Sequence, residues 1–146
     1  MTPEAVSDYI ASKCYDCKTA VDAFSGIGHN ATKLGTLCEK VICVEEEPKK
    51  CNMLINNAKC YEIYNIELYM KPFLDISLKQ KVDVALIHPI LVSEDYKLSS
   101  MCECKHFKPS LSQVIKKSLQ IAHNIVLLLP PNISIKEICY EISKSS

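Results

Sequence analysis

Five short apolar runs alternate with helical patterns along this chain, and that alternation constrains its fold more than any other feature. The runs are residues 20–24, 41–44, 66–70, 82–87 and 124–129. The second run is apolar throughout, which is typical of a strand covered on both faces. Strands that alternate with helices predict a parallel sheet with right-handed crossover connections. The sequence therefore predicts an α/β fold.

Helix-start signals precede or follow these runs at the places that such a fold requires. In chain order they are Thr2-Pro3-Glu4, Pro48, Ser110-x-x-Gln113 and Ser134-x-x-Glu137. Proline suits the first helical position, and a serine with Glu or Gln three residues on is a capping box. Thr2 is expected to cap the first helix. With 146 residues the chain suits one domain over residues 1–146.

The nine cysteines indicate a reducing environment rather than a disulfide framework. Their number is odd, and the first 30 residues show no basic segment followed by an apolar one. Cys43, Cys51 and Cys139 fall at predicted core-facing positions, where a thiol acts as a small apolar group. No apolar run approaches the roughly 20 residues of a membrane span. We therefore expect an intracellular protein that does not bind a membrane.

Two cysteine clusters have ligand types that zinc accepts, but their predicted positions separate them. Cys14-x2-Cys17 precedes the first strand, whereas Cys102-x-Cys104-x-His106 follows the fourth. In a parallel sheet these positions lie at opposite ends of a strand, roughly 15–20 Å apart. We expect no metal site.

Charge alone does not identify a partner. The net charge is zero, and all 17 basic residues are lysine. Without arginine, the chain has no bidentate grip for phosphate. A nucleic-acid partner is therefore neither indicated nor excluded by composition.

An acid and two glycines at the end of the first predicted strand indicate a ligand site. Asp22 is followed by Gly26-x-Gly28, and Glu45 ends the second strand. Glycines let a backbone approach a ligand, and an acid in the place of Glu45 can accept both hydroxyls of a ribose. The turn holds no lysine, so a phosphate is not required. S-adenosylmethionine, with a ribose and a cationic sulfur, fits this pattern. The open alternative is an ordinary strand-to-helix turn beside a solvated acidic run.

Four segments also match a known family, in order and nearly at its spacing. They are Thr2-Pro3-Glu4, the Asp-Ala-Phe-x-Gly-x-Gly-x-Asn block from Asp22 to Asn30, Asn56-Asn57-Ala58 and Asn124-Ile125-Val126. By these residues the chain resembles the trimethylguanosine synthases, which are S-adenosylmethionine-dependent RNA cap guanine-N2 methyltransferases. The resemblance implies a Rossmann-like methyltransferase fold with a mainly parallel sheet of about five strands and helices on both faces. It also implies that the family's closing strand hairpin is missing here.

The resemblance assigns the cofactor residues. The residues that would line the methionine and sulfonium end of S-adenosylmethionine are Asp22, Phe24, Gly26, Gly28 and Asn30. Glu45 would hold the ribose. The family's acid after the third strand is Pro72 here, and Asp75 is the neighbouring carboxylate that would replace it.

The resemblance also assigns the substrate side, where this sequence departs from the family. The family motif Ser-Pro-Pro-Trp after the fourth strand reads His88-Pro89-Ile90-Leu91. His88 and Pro89 are the candidate catalytic residues, and a neutral His88 would accept a hydrogen bond from the amine. Asn57 would lie near the guanine, and Tyr96 is a candidate for stacking on it. The reaction would carry a methyl group to N2 of a 7-methylguanosine cap, which requires positioning more than a strong base.

Two other functions remain compatible with the altered motif. One is a catalytically degenerate domain that binds RNA or a protein, and the other is a methyltransferase for a different small substrate. The resemblance implies capped RNA as the partner and favours the nucleus over the cytoplasm. The sequence leaves the oligomeric state open.

Overall fold

A parallel five-stranded sheet forms the centre of the computed structural model, which describes residues 2–91 and 101–145. The strands are β1 (Thr19–Asp22), β2 (Lys40–Val44), β3 (Ile66–Tyr69), β4 (Val82–Ile87) and β5 (Ala122–Leu127). Their order across the sheet is β3-β2-β1-β4-β5, and every neighbouring pair is parallel. The predicted α/β fold with five strands is confirmed.

Five helices connect and cover the strands. They are α1 (Glu4–Lys13), α2 (His29–Gly35), α3 (Pro48–Cys60), α4 (Leu111–Ile121) and α5 (Ile135–Ser145). Within residues 2–91 and 101–145, two single turns of 3-10 helix, Phe73–Asp75 and Cys104–His106, lie in the longer connections. The capping box of Ser110 and Gln113 forms as the sequence predicts.

Each face of the sheet has its own apolar core, because successive strand residues point to opposite faces. On one face Ala20, Val41 and Val84 pack with residues of α1, α2 and α3. On the other face Val21 and Ile42, with their counterparts in β4, pack with α4 and the Phe73 turn. Helices therefore cover both faces, as expected for strands that are apolar throughout.

Three details differ from the sequence-based expectations. β1 ends at Asp22, because Ala23 and Phe24 already belong to the turn. β5 begins two residues earlier than predicted and is an edge strand with an exposed His123. All nine cysteines are free, but Cys139 is exposed on α5 rather than in the core.

The first helix also begins differently. Pro3 takes the N-cap position, and no side chain caps the helix. The Thr2 hydroxyl, which the sequence assigns to capping, instead contacts Asn30 and His88. The proline directly before α1 keeps an extended backbone there (φ −57°, ψ 145°), and Thr2 turns inward.

The turn between β1 and α2 depends on two glycines in the left-handed region. Gly26 has a φ of 54° and Gly28 a φ of 88°. A Cβ on Gly28 would lie 2.8 Å from Leu54 Cγ, whereas a Cβ on Gly26 would meet no described atom within 4 Å. Gly28 is therefore required for packing α2 against α3, and Gly26 leaves open space above the turn.

We predict different stability losses for the two alanine variants. Gly28→Ala combines left-handed strain with a clash and should lower the free energy of unfolding by about 2–4 kcal/mol. Gly26→Ala carries the strain alone and should cost about 1 kcal/mol. Urea unfolding of both variants beside the wild type measures the difference, and equal losses would contradict the packing role of Gly28.

Candidate functional site

The chain reverses its direction across the sheet between β1 and β4. From β1 it proceeds to β2 and β3 on one side, and from β4 to β5 on the other. Ligands of open α/β sheets bind outside the carboxyl ends of the strands at such a point. Asp22 ends β1, and His88 follows β4 directly. Asp22 and His88 therefore lie at the edge of the sheet where ligands are expected.

A cavity of about 670 Å³ opens beside the end of β2. Phe24 lies in its wall, and the Phe24 and Phe73 rings pack with their centroids 5.5 Å apart. Glu45 and the exposed Asp75 also line it. The far side is formed by Lys108 to Ser110 and by Gln113 of α4. The cavity thus has aromatic walls and carboxylates at its rim.

Glu45 fixes the shape of the turn while it faces this cavity. Its Oε2 accepts a hydrogen bond from the Gly26 backbone N–H at 2.9 Å, and its Oε1 accepts from the Glu47 N–H at 2.9 Å. Each carboxylate oxygen has a further lone pair, because an ionised carboxylate has about four acceptor sites. Glu45 can therefore brace the turn and accept two hydroxyl groups together.

Ser25 is a second residue that holds the turn in place, and sequence patterns do not single it out. Its hydroxyl donates to the Asp22 carbonyl at 2.8 Å and accepts from the Val44 N–H at 3.0 Å. The Ser25 N–H donates to the Val44 carbonyl at 3.0 Å. A serine directly before the first of two glycines has no distinctive spacing, so its cross-strand partners identify it only in three dimensions.

Asp22 is fully buried beneath the turn, and no described residue hydrogen-bonds to either of its carboxylate oxygens. Burial, and to a smaller extent the negative charge of Glu45, raise the pKa of Asp22 to about 7. The nearby Ala31 backbone N–H opposes the rise. A buried carboxylate that accepts no hydrogen bond is stabilised in its charged form by a cation that lies next to it.

A second cavity, of about 330 Å³, lies on the other side of the segment that follows β4. His88, Pro89 and Leu91 line this smaller cavity, whereas Ile90 lines the larger one. The remaining walls are mostly apolar and come from the start of the chain and from residues 128–131. Residues 88–91 therefore form a partition between the two cavities.

The other predicted site residues lie elsewhere around the turn. Asn30 is buried and lines neither cavity, since its amide contacts Ser7 and Thr2. Asn57 donates from Nδ2 to the Ile27 carbonyl at 2.9 Å and lines a third depression of about 250 Å³ together with Gly28. The structure thus does not bring Asn57 and His88 together. Tyr96 lies outside the described residues.

Among residues 2–91 and 101–145, no three His, Cys, Asp or Glu side chains are arranged to hold a metal ion. No helix in those ranges has the length and apolar character needed to cross a membrane.

The raised pKa of Asp22 predicts a pH-dependent stability of the ligand-free protein. In the unfolded chain an aspartate has a pKa of about 3.9, so the folded state binds this proton more tightly. The stabilisation is present below pH 4 and is lost as the pH rises through about 7. Asp22→Asn should therefore raise the free energy of unfolding at pH 8 by roughly 2–4 kcal/mol and should change it little at pH 4.

Urea unfolding at pH 4, 6 and 8 measures this effect. Asp75→Asn is the matched control, because Asp75 is an exposed carboxylate at the rim of the same cavity. A wild type and an Asp22→Asn variant with parallel pH profiles would show that Asp22 is not the buried titrating group.

Solved structures of methyltransferases share this fold. An rRNA methylase from Streptococcus thermophilus has 16% identity and a TM-score of 0.64, covering 99% of this chain and 78% of its own. The tRNA m1G37 methyltransferase of M. jannaschii has 17% identity and a TM-score of 0.61, and the match covers 84% of this chain and 34% of the M. jannaschii chain. The N-methyltransferase NodS of Bradyrhizobium japonicum was solved with S-adenosyl-L-homocysteine. It has 12% identity and a TM-score of 0.65, and the match covers 85% of this chain and 58% of the NodS chain. At these identities the likeness shows the Rossmann-like fold.

A family model shows the membership of the chain. The model described as RNA cap guanine-N2 methyltransferase matches residues 17–145, from the turn before β1 through the last residue of α5. The match includes both glycines of the turn, Glu45 and the partition between the cavities. The protein therefore belongs to the RNA cap guanine-N2 methyltransferase family, and with it to the S-adenosylmethionine-dependent methyltransferases.

Proposed function

We propose that this protein binds S-adenosylmethionine in the larger cavity and transfers its methyl group to N2 of a guanine in an RNA cap. The observation that carries the proposal is the partition of residues 88–91, which has the larger cavity on one side and the smaller cavity on the other. A methyl donor in one cavity and an acceptor base in the other would meet past the edge of this segment, because the transfer requires the two reacting atoms in line with no protein atom between them.

The residues around the larger cavity fit the cofactor. Asp22 does not line this cavity but is buried beneath the adjoining turn, and no described residue hydrogen-bonds to its carboxylate, which supplies the negative charge that a sulfonium or ammonium group would neutralise. Glu45 would accept the ribose hydroxyls, and the Phe24 and Phe73 rings would cover the adenine. The open space above Gly26 admits a ligand close to the backbone. The cofactor, when bound, supplies an electrophilic methyl group and a neutral thioether as leaving group.

The smaller cavity would hold the acceptor base. Its volume of about 330 Å³ suits a flat heterocycle, and its prolines and leucines supply apolar faces. His88 supplies a polar atom in the wall, and burial lowers the pKa of His88, so its imidazole is neutral at pH 7. The cap as substrate is supported by the family match, and RNA more generally by two structural neighbours that are named as rRNA and tRNA methyltransferases.

One observation favours a second acceptor, a guanine without the 7-methyl group. The described lining of the smaller cavity has no Phe, Tyr or Trp ring and no carboxylate, and Leu91 stands where the family that the sequence resembles has tryptophan. A positively charged 7-methylguanine gains most from aromatic faces and acids. An uncharged guanine at the end of a capped or uncapped RNA needs neither.

Two measurements test the proposal in sequence. Calorimetric titration with S-adenosylmethionine should give a micromolar dissociation constant, and a methyl-transfer assay should then compare m7GpppG, GpppG and uncapped RNA. Transfer to m7GpppG above GpppG supports the cap, and the reverse order supports the uncharged guanine. Absence of cofactor binding at millimolar concentration would refute both.

Glu45→Gln should weaken cofactor binding. The amide oxygen can still accept one backbone hydrogen bond, but the charge and the second acceptor oxygen are lost. We expect a dissociation constant for S-adenosylmethionine that rises roughly 10- to 100-fold, because a hydrogen bond to a charged group is worth about 1.5–3 kcal/mol.

Glu47→Gln is the matched control for this variant. Glu47 is an exposed neighbour whose carboxylate pairs with Lys50 at 2.8 Å on the surface. Such a pair contributes about 0–1 kcal/mol, so the affinity should stay within roughly threefold of the wild type. Equal losses in both variants would argue against a ribose contact for Glu45.

A further inference from the structure

The Thr2 hydroxyl lies against the imidazole of His88. Its Oγ1 is 3.2 Å from His88 Nδ1, and both residues line the smaller cavity. Thr2 is 5% exposed, although it stands before the first helix. The contact arises because α1 starts at the edge where β4 ends and runs back toward the start of β1. Thr2 therefore belongs to the wall of the cavity next to the partition.

A chain of hydrogen bonds determines which of these two groups donates. The Ser7 hydroxyl donates to Asn30 Oδ1 at 2.8 Å, and Asn30 Nδ2 donates to Thr2 Oγ1 at 3.2 Å. Ser7, Asn30 and Thr2 are all buried. The Thr2 oxygen has two lone pairs, and one of them accepts from Asn30. Among the described residues His88 Nδ1 is the acceptor within reach of the Thr2 proton, so we assign that proton to the bond with His88. Each group in the chain thus donates to the next.

We propose that Thr2 is a positioning residue that holds neutral His88 in the Nε2–H tautomer. A neutral imidazole carries one proton, and an Nδ1 that accepts from Thr2 leaves that proton on Nε2. No described residue hydrogen-bonds to Nε2 of His88. Its N–H is therefore available to a ligand in the smaller cavity.

This tautomer changes the role that the sequence suggests for His88. A histidine that accepts from the substrate amine needs a free lone pair on Nε2, and the Nε2–H tautomer has none. His88 instead donates to an acceptor atom of the base. In guanine the acceptor N3 neighbours the carbon that bears N2, so a donor to N3 orients the amine. This step rests on the proposed function, and the proton that the amine loses after transfer goes to water.

Nitrogen NMR of the histidine side chains tests the tautomer without any substrate. In 15N-labelled protein at pH 8, His88 should show a protonated Nε2 and an unprotonated Nδ1. His106 is an internal reference, since its Nδ1 accepts from the Glu103 backbone N–H at 3.0 Å and requires the same tautomer. A His88 with its proton on Nδ1 would overturn the proposal.

Two substitutions separate positioning from packing. Thr2→Val keeps the shape but removes the hydroxyl, so His88 should lose its single tautomer and show a mixture. Thr2→Ser keeps the hydroxyl and should restore the wild-type pattern. The His106 signals should be the same in all three proteins. An unchanged His88 tautomer in Thr2→Val would remove Thr2 from this role.

A nucleotide titration then tests the donor. With S-adenosylhomocysteine saturating, GpppG should shift the His88 Nε2–H proton downfield in the wild type and in Thr2→Ser, and at least fivefold less in Thr2→Val. A wild-type proton that does not respond to bound GpppG would overturn the donor role. Methyl transfer that is absent while the Nε2–H tautomer is present would refute the proposed function and leave the role of Thr2 intact.

Discussion

The turn between β1 and α2 keeps its shape because the end of β2 holds it in place. Ser25 exchanges backbone and side-chain hydrogen bonds with Val44, and Glu45 accepts the Gly26 N–H. These bonds close the turn over Asp22, which leaves a carboxylate buried without a partner. The rest of the site depends on this arrangement. It sets the floor of the larger cavity, the pKa of Asp22 and the free space above Gly26.

The two halves of the site differ in how far they keep the family pattern. On the cofactor side Phe24 and Glu45 line the larger cavity, Asp22 is buried beneath the turn, and Gly28 lines the third depression. On the substrate side His88 and Leu91 replace the family's serine and tryptophan, and the cavity has apolar walls with one imidazole. The contact between Thr2 and His88 supplies that wall with a hydrogen-bond donor of defined direction. The altered motif is thus a different chemical surface, and the proposed preference for an uncharged guanine rests on it.

The fold and the turn between β1 and α2 follow from the sequence because both rest on local patterns. Apolar runs, capping boxes and the glycine spacing locate the strands, α4 and the turn after Asp22, and β4 has the predicted bounds. Properties that depend on long-range contacts do not follow. Thr2 has the sequence context of a helix cap, yet its partners are 28 and 86 residues away. Asn57 has the family spacing of a substrate residue, and only the packing of α3 on the turn shows its bond to Ile27.

The protons released when the cofactor binds test the role of Asp22 most directly. Calorimetric titration with S-adenosylmethionine at pH 7, in buffers of different ionisation enthalpy, measures that number. A cation beside a carboxylate whose pKa is about 7 lowers the pKa, so binding should release roughly half a proton. The Asp22→Asn variant should release none. Tight binding by the wild type without proton release would contradict a cofactor cation beside Asp22.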